Sequence, residues 1–252
     1  MTKNTILIKN AIILNPGCFE NKVQSLLIED NLISEIADNI DESNVDKIID
    51  ADGKILLPGL INTHTHLSMA LFRGLADDLS LDTWLNDNIW PMEANLDGNY
   101  CYIGALLGAV ELIKSGTTTF SDMYFYMEDV ANAVDEAGLR AVLSYGMIDF
   151  GDAERRENEI KENLSLFENC NGMANGRIKV FLGPHSPYTA SEELLIKVRE
   201  LADKYNMGIH IHVSETEKEI NDVLDEKGLV FSVAIVPHTC RLHGFGFHDT
   251  VF

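Results

Sequence analysis

Along the first 57 residues, apolar positions fall in short β-branched runs broken by turn-forming pairs. Thr5-Ile6-Leu7-Ile8-Lys9-Asn10-Ala11-Ile12-Ile13-Leu14 reads as a strand that stops at Asn15-Pro16-Gly17. Val23 to Glu29 is a second strand, and Asp30-Asn31 turns into a third over Leu32 to Ile36. Asp46 to Asp50 is a short fourth, followed by an Ala51-Asp52-Gly53 turn into Lys54-Ile55-Leu56-Leu57. Short strands at this spacing predict a small sandwich or meander, taken as a small N-terminal β-sandwich domain over residues 1–57. Strands so few do not easily bury both faces, and this domain is expected to pack on the next one.

After Pro58 the pattern alternates between strands and helices. Tyr100 to Ser115 carries Ile103, Leu106, Leu107, Val110 and Ile113 at helical spacing, and Gly116 is the stop. Thr117 to Asp122 is a strand, Glu128 to Ala137 a helix, Arg140 to Tyr145 a strand and Asp152 to Asn169 a charged helix. Ile178 to Gly183 is a strand ending in Pro184-His185-Ser186. Thr189 with Glu192 reads as a capping box before a helix to Tyr205. Gly208 to Val213 is a fifth strand, and Glu217 to Lys227 a helix closed by Gly228. Repeated βα units predict a parallel sheet, either doubly wound or barrel-shaped. No Gly-rich phosphate loop marks a doubly wound switch point, and polar residues gather at the strand ends. The expected fold is therefore α/β: a (β/α)8 barrel, here incomplete, with its first five βα units over residues 58–229.

Composition narrows the class. The 252 residues are 46% hydrophobic, enough for a sizeable core. Acidic side chains number 40 against 19 basic, a formal charge of -21. Such a surface repels phosphate backbones and anionic membranes, so neither nucleic acid nor membrane is an expected partner. The four cysteines are scattered without a C-x-x-C pair, which implies neither a cysteine zinc site nor a disulfide framework. Met1 to Asn4 leads into a strand-like run and not a signal peptide, and a cytoplasmic location is expected.

His64 and His66 stand two residues apart at the end of an apolar run, Pro58-Gly59-Leu60-Ile61-Asn62-Thr63. Side chains at i and i+2 of a strand share a face, so both imidazoles aim at one point. A bare His-x-His also fits two unrelated surface histidines. His210 and His212 repeat the spacing; His212 lies nearer the strand end and is the better ligand, and His210 reads as a buried, hydrogen-bonded filler. Glu215 reads equally as a proton carrier or as a carboxylate favoured at a helix start.

Together these residues resemble the amidohydrolase superfamily. The match runs through Leu57 to His66 and His210-Ile211-His212-Val213-Ser214-Glu215-Thr216. Pro91-Met92-Glu93-Ala94-Asn95-Leu96 and Gly183-Pro184-His185-Ser186-Pro187-Tyr188 look like the branch of 5'-methylthioadenosine/S-adenosylhomocysteine and 5'-deoxyadenosine deaminases; a guanine or cytosine deaminase or a triazine hydrolase of the same superfamily is the alternative. The resemblance covers about residues 1–229. It implies one divalent metal, zinc or iron, held by His64, His66 and His212. It implies that Glu93 accepts from the ribose hydroxyls of a nucleoside substrate and that His185 contacts that substrate. Glu215 would bind the substrate and protonate N1 of the adenine ring as activated water attacks C6, with ammonia leaving. Arg155 and Arg156 align too loosely for assignment. A homo-oligomer is expected of the intact family.

The pattern breaks at the end. The family's fourth metal ligand and base is an aspartate after the eighth strand, and the sequence stops at Phe252, before a seventh. Residues 230–252 diverge: they hold one acidic residue, Asp249, and three of the eight histidines. They read either as a sixth strand with His238 at its end or as an altered reading frame, and the second reading is taken. An open partial barrel exposes sheet edges and apolar interior. The chain alone is therefore expected to be poorly soluble or dependent on partner chains, and to deaminate slowly or not at all.

Overall fold

The computed structural model describes residues 4–15 and 18–227. The Pro16-Gly17 turn, the Gly228 stop and the readings for 230–252, including His238 and Asp249, lie outside the described residues. The chain divides into two compact units, residues 1–59 and residues 60–252.

The first unit holds β1 (Thr5–Asn15), β2 (Cys18–Glu29), β3 (Leu32–Ala37), β4 (Lys47–Asp50) and β5 (Ile55–Leu56). They form one sheet in the order β3-β2-β1-β4, with β5 also on β1. The expected sandwich is corrected: among the described residues there is a single layer. The reason is the length of β1. It pairs antiparallel with β2 on one edge, and on the other takes β4 at Ile6 to Lys9 and β5 at Ile12 and Ile13, both parallel. All five strands are thus used in one sheet. Leu7, Ala11 and Leu26 are buried, whereas Val23, Leu32, Ile33 and Ile48 are exposed.

The second unit carries β6 (Leu60–Thr65), β7 (Thr117–Tyr124), β8 (Arg140–Tyr145) and β9 (Ile178–Val180). Its five longer helices are α1 (Gly98–Lys114), α2 (Met127–Ala137), α3 (Ala153–Cys170), α4 (Glu192–Tyr205) and α5 (Glu217–Lys227). The sheet order is β6-β7-β8-β9, with every pair parallel. A doubly wound sheet reverses its order at a switch point, whereas a barrel lays each strand beside the last. The order here is the barrel's. Phe120, Leu143, Ile178 and Leu182 are buried in one core with Val130 and Val134 of α2 and Leu194 and Val198 of α4. Each such side chain contributes about 1.5–3 kcal/mol when fully buried.

Three details differ from the sequence reading. Residues 208–213 do not form a full strand. A single parallel bridge joins Leu182 to Ile209, with Leu182 N–H donating to Gly208 O at 2.9 Å and His210 N–H to Leu182 O at 2.8 Å. The next residues on the partner side include Pro184, which has no N–H to continue the ladder. His212 N–H instead donates to His185 O at 3.0 Å.

The second difference is in α1. Its buried face is Cys101, Gly104, Ala105, Gly108, Ala109 and Leu112, while Ile103, Leu107, Val110 and Ile113 are exposed. The small residues are required by closeness: a Cβ at Gly104 or Gly108 would collide with Ser68 or Leu67. Those two residues open the 3₁₀ turn Leu67–Phe72 that comes after His66.

The third is the capping box. The N-cap of α4 is Ser191, whose hydroxyl accepts from Leu194 N–H. Thr189 is turned inward, its hydroxyl bonded to Ser186 and His185. The buried Asp149 carboxylate accepts from both Ser191 N–H (2.7 Å) and Ser191 Oγ (2.5 Å), which fixes the cap there. Among the described residues no helix is long and apolar enough to cross a membrane.

Candidate metal centre and nucleoside site

His64 and His66 reach their positions through an irregularity. The β6–β7 register shifts between Asn62 and Thr65, where β6 carries one extra residue. Asn62 Oδ1 accepts His64 N–H at 3.1 Å within that bulge. His66 lies just past the strand, at the start of the 3₁₀ turn. Simple i, i+2 alternation therefore does not set their geometry; the bulge and the turn do.

Asp122 fixes the residues on either side of His66. Its Oδ1 accepts from Thr65 Oγ1 at 3.0 Å and from Leu67 N–H at 2.9 Å. Asp122 is wholly buried, and its Oδ2 has no partner among the described residues. Burial pushes its carboxyl up to about 7 against the pull of those two bonds.

The tautomers of two histidines are set by their partners. His66 Nδ1 meets Met123 O at 2.7 Å, and His212 Nδ1 meets His185 O at 2.9 Å. A carbonyl only accepts, so both Nδ1 atoms carry the proton and both Nε2 lone pairs stay free. His212 Nε2 is buried with no hydrogen-bond partner among the described residues. Leaving a buried polar atom unsatisfied costs about 1–3 kcal/mol, so a native structure calls for a reason.

The third imidazole supplies one. Ring centroids lie 5.3 Å apart for His64 and His66, 5.0 Å for His64 and His212, and 5.1 Å for His66 and His212. One nitrogen from each lies within 4.8 Å of the others. Neutral nitrogen donors with fixed tautomers and one orphaned lone pair suit a divalent cation of the zinc type.

Burial keeps His66, His185 and His210 neutral at pH 7. Burial, with a smaller effect from the neighbouring His212, drives His66 down to about 4. Burial does the same to His185, again helped by His212, and to His210, each to about 4. All three titrate near 6.5 when unfolded. Between those values the unfolded chain binds more protons than the folded one. Metal-free stability should be complete above about 6.5, decline as pH falls, and level off below about 4. Urea midpoints at about pH 7, 5.5 and 4.5 should fall in that order; a flat or inverse trend contradicts this.

The other residues singled out from sequence are also in this unit. His185 lies 5.1 Å from His212, centroid to centroid, with Nδ1 at 2.9 Å from Thr189 Oγ1 and 3.1 Å from Ser186 Oγ. His210 is tied to Ser144 Oγ at 2.9 Å and Ser121 Oγ at 3.3 Å, as a filler would be. Glu215 is exposed, and its Oε2 accepts from Tyr188 Oη at 2.7 Å. Its negative charge opposes the burial and His212 effects that lower His64.

Glu93 ends the helical turn Trp90–Glu93, which comes after a π-type turn over Trp84–Ile89. Such turns recur at functional sites. Tyr124 Oη donates to Glu93 Oε1 at 2.7 Å. Burial raises the Glu93 carboxyl, and the Tyr124 bond pulls it back. Glu93 lines a cavity of about 750 Å³ with Trp90, Leu96, Phe125, Tyr145 and Arg155; the three clustered histidines are not in its lining. Arg156 is committed to Asp149 at 2.8 Å.

Sequence reasoning missed Tyr124, Tyr188 and the clamp made by Asp122. Asp122 was visible as a polar residue at a strand end but was given no task. Tyr124 lies two residues beyond it, on the same face, but the predicted strand stopped at Asp122.

The amidohydrolase family profile matches residues 55–231. The chain belongs to the amidohydrolase family. This amidohydrolase is 76% identical over 229 residues to the 5'-deoxyadenosine deaminase of Methanobrevibacter smithii, covering 91% of this chain and 53% of that protein. It is 51% identical over 247 residues to the 5'-deoxyadenosine deaminase of Methanocaldococcus jannaschii, covering 98% of this chain and 56% of that one. The chain thus spans about half the length of the curated relatives it matches. Among solved structures, it superposes on an adenosine deaminase from Xanthomonas campestris with bound zinc at a TM-score of 0.82 and 27% identity. That match covers 92% of this chain and 54% of the other. Guanine deaminase from C. acetobutylicum shares the fold at a TM-score of 0.78 and 22% identity, over 93% of this chain and 59% of that one.

Proposed function

We propose that this amidohydrolase serves the metal-dependent hydrolytic deamination of 5'-modified adenosines, 5'-deoxyadenosine first among them. Water replaces the 6-amino group, giving the inosine analogue and ammonia. The observation that carries the reading is the cluster of His64, His66 and His212, with the buried Nε2 of His212 left without a hydrogen bond. The substrate class rests on the relatives named 5'-deoxyadenosine deaminase. 5'-Methylthioadenosine and S-adenosylhomocysteine are further candidates within it.

These three histidines would hold the divalent metal, zinc or iron. When bound, the metal supplies Lewis acidity that brings the pKa of water at the site toward neutrality. Glu215 delivers a proton to N1 of the purine as C6 becomes tetrahedral. His185, held by Thr189 and Ser186, stays neutral at pH 7 and presents its ring to the substrate. Tyr124 occupies Oε1 of Glu93, which leaves Oε2 to accept from the ribose hydroxyls.

The Glu93 carboxylate separates a nucleoside site from a free-base site. Glu93→Ala should raise KM for 5'-deoxyadenosine by about 10–100-fold, the worth of hydrogen bonds to a charged group. An unchanged KM points instead to a substrate without ribose.

A further inference from the structure

The loop after His212 carries the proposed proton carrier in a backbone conformation that needs support. Ser214 has a φ of +59°, in the left-handed region that non-glycine residues seldom adopt. Glu215 comes next and is exposed. Beneath them lies Glu219, only 4% exposed. Its Oε1 accepts Ser214 N–H at 2.9 Å, and its Oε2 accepts Glu215 N–H at 2.9 Å. Two successive N–H groups pointing into one anion form a backbone nest, here filled by a carboxylate of the same chain.

The nest is distinct from the helix cap beside it. Thr216 Oγ1 accepts from Glu219 N–H at 3.1 Å, and Thr216 O accepts from Ile220 N–H at 3.2 Å. The start of α5 is therefore capped without the Glu219 side chain. That side chain reaches back to the loop. Tyr188 meanwhile holds the far end of Glu215 at 2.7 Å. Glu215 is gripped at its backbone by one residue and at its carboxyl by another.

We propose that Glu219 is a positioning residue of this site: its buried carboxylate fixes the backbone of Ser214 and Glu215 and thereby sets where the Glu215 carboxyl stands relative to the three histidines. This rests on the proton-carrying role proposed for Glu215. Glu219 touches neither substrate nor metal ligand in this role. Its effect reaches the site through the loop.

The test compares the zinc-loaded chain with Glu219→Ala and Glu219→Gln. Three quantities are read: metal content, amide hydrogen exchange at Ser214 and Glu215, and the kinetics of ammonia release from 5'-deoxyadenosine. Glutamine keeps one acceptor oxygen for two N–H groups and should fall between alanine and the parent. In Glu219→Ala the two amides should exchange at least about tenfold faster, with the amides of β7 and β8 unchanged. Metal content should hold, kcat should fall at least about tenfold, and KM should stay within about twofold. A plain loss of packing would not split kcat from KM in this way. Unchanged exchange at Ser214 and Glu215 overturns the proposal, and so does faster exchange with an unchanged kcat. Should the alanine variant fail to fold, Glu219→Gln decides by the same readouts. If the parent chain releases no ammonia, the outcome expected of an open partial barrel, kcat is not read and the exchange rates at Ser214 and Glu215 alone decide whether Glu219 fixes the loop.

Discussion

Glu215→Gln should lower kcat for 5'-deoxyadenosine by about 10²–10⁴-fold, the usual worth of a positioned acid–base group. The substitution is chosen to remove one property only. Glutamine has nearly the same shape, and its amide oxygen can still accept from Tyr188 Oη, which Glu215 Oε2 does at 2.7 Å. The loop should therefore keep its place, because its backbone is held by Glu219 and not by the Glu215 side chain. What glutamine lacks is a proton that it can give up and regain. Metal content should be unaltered and KM little changed, since the loss falls on the transition state and not on ground-state binding. Steady-state ammonia release checks this. A kcat within about threefold of the parent would remove Glu215 from the chemistry.

The parts of this molecule that could be read from sequence are those set by local pattern. The alternation of β-branched runs and helical periods located the parallel strands and the longer helices, and the sequential order of β6 to β9 fits the barrel expected from the placement of polar residues at strand ends. His64, His66 and His212 could be picked out because each stands at or just beyond the end of an apolar run. The way they come together was not legible. It depends on a bulge in β6, on the carbonyls of Met123 and His185, and on Asp122 gripping Thr65 and Leu67. Each is a contact between distant parts of the chain, with no local signature.

The errors have the same origin. The sandwich was inferred from strand length and spacing, which say nothing about which edges pair. One long strand, β1, took three partners directly, and β3 joined through β2, so that all five strands form a single layer. In α1 the helical period was right, but the buried face is the small one. Close approach of the turn at Leu67 and Ser68 selected glycine and alanine, and turned Ile103, Leu107, Val110 and Ile113 outward. Glu219 was not singled out within the helix Glu217 to Lys227. Its burial arises from the left-handed turn at Ser214, which a serine does not announce.

The second large effect concerns His212. Its Nδ1 is fixed on His185 O, so Nε2 has one direction to face, and among the described residues no hydrogen-bond partner meets it there. His64 and His66 alone would offer two nitrogens from one short segment. The third, from a distant part of the chain, closes the set and ties the fifth βα unit to the first. Removing an outer-shell partner of a metal ligand costs about 10–100-fold in affinity, and removing a ligand itself should cost at least about 100-fold. His212→Ala is a truncation at a polar, partly lined site, so the fold should survive it better than a core deletion of the same size.

The metal centre is tested most directly by a zinc titration of the metal-free chain and of His212→Ala, with a competing chelator to set the affinity scale and circular dichroism to check the fold. The expected result is one tightly held ion per parent chain and affinity lower by at least about 100-fold in a folded His212→Ala variant. A parent chain that binds no zinc, or a variant that binds it equally well, would contradict the claim that these three histidines are a metal centre.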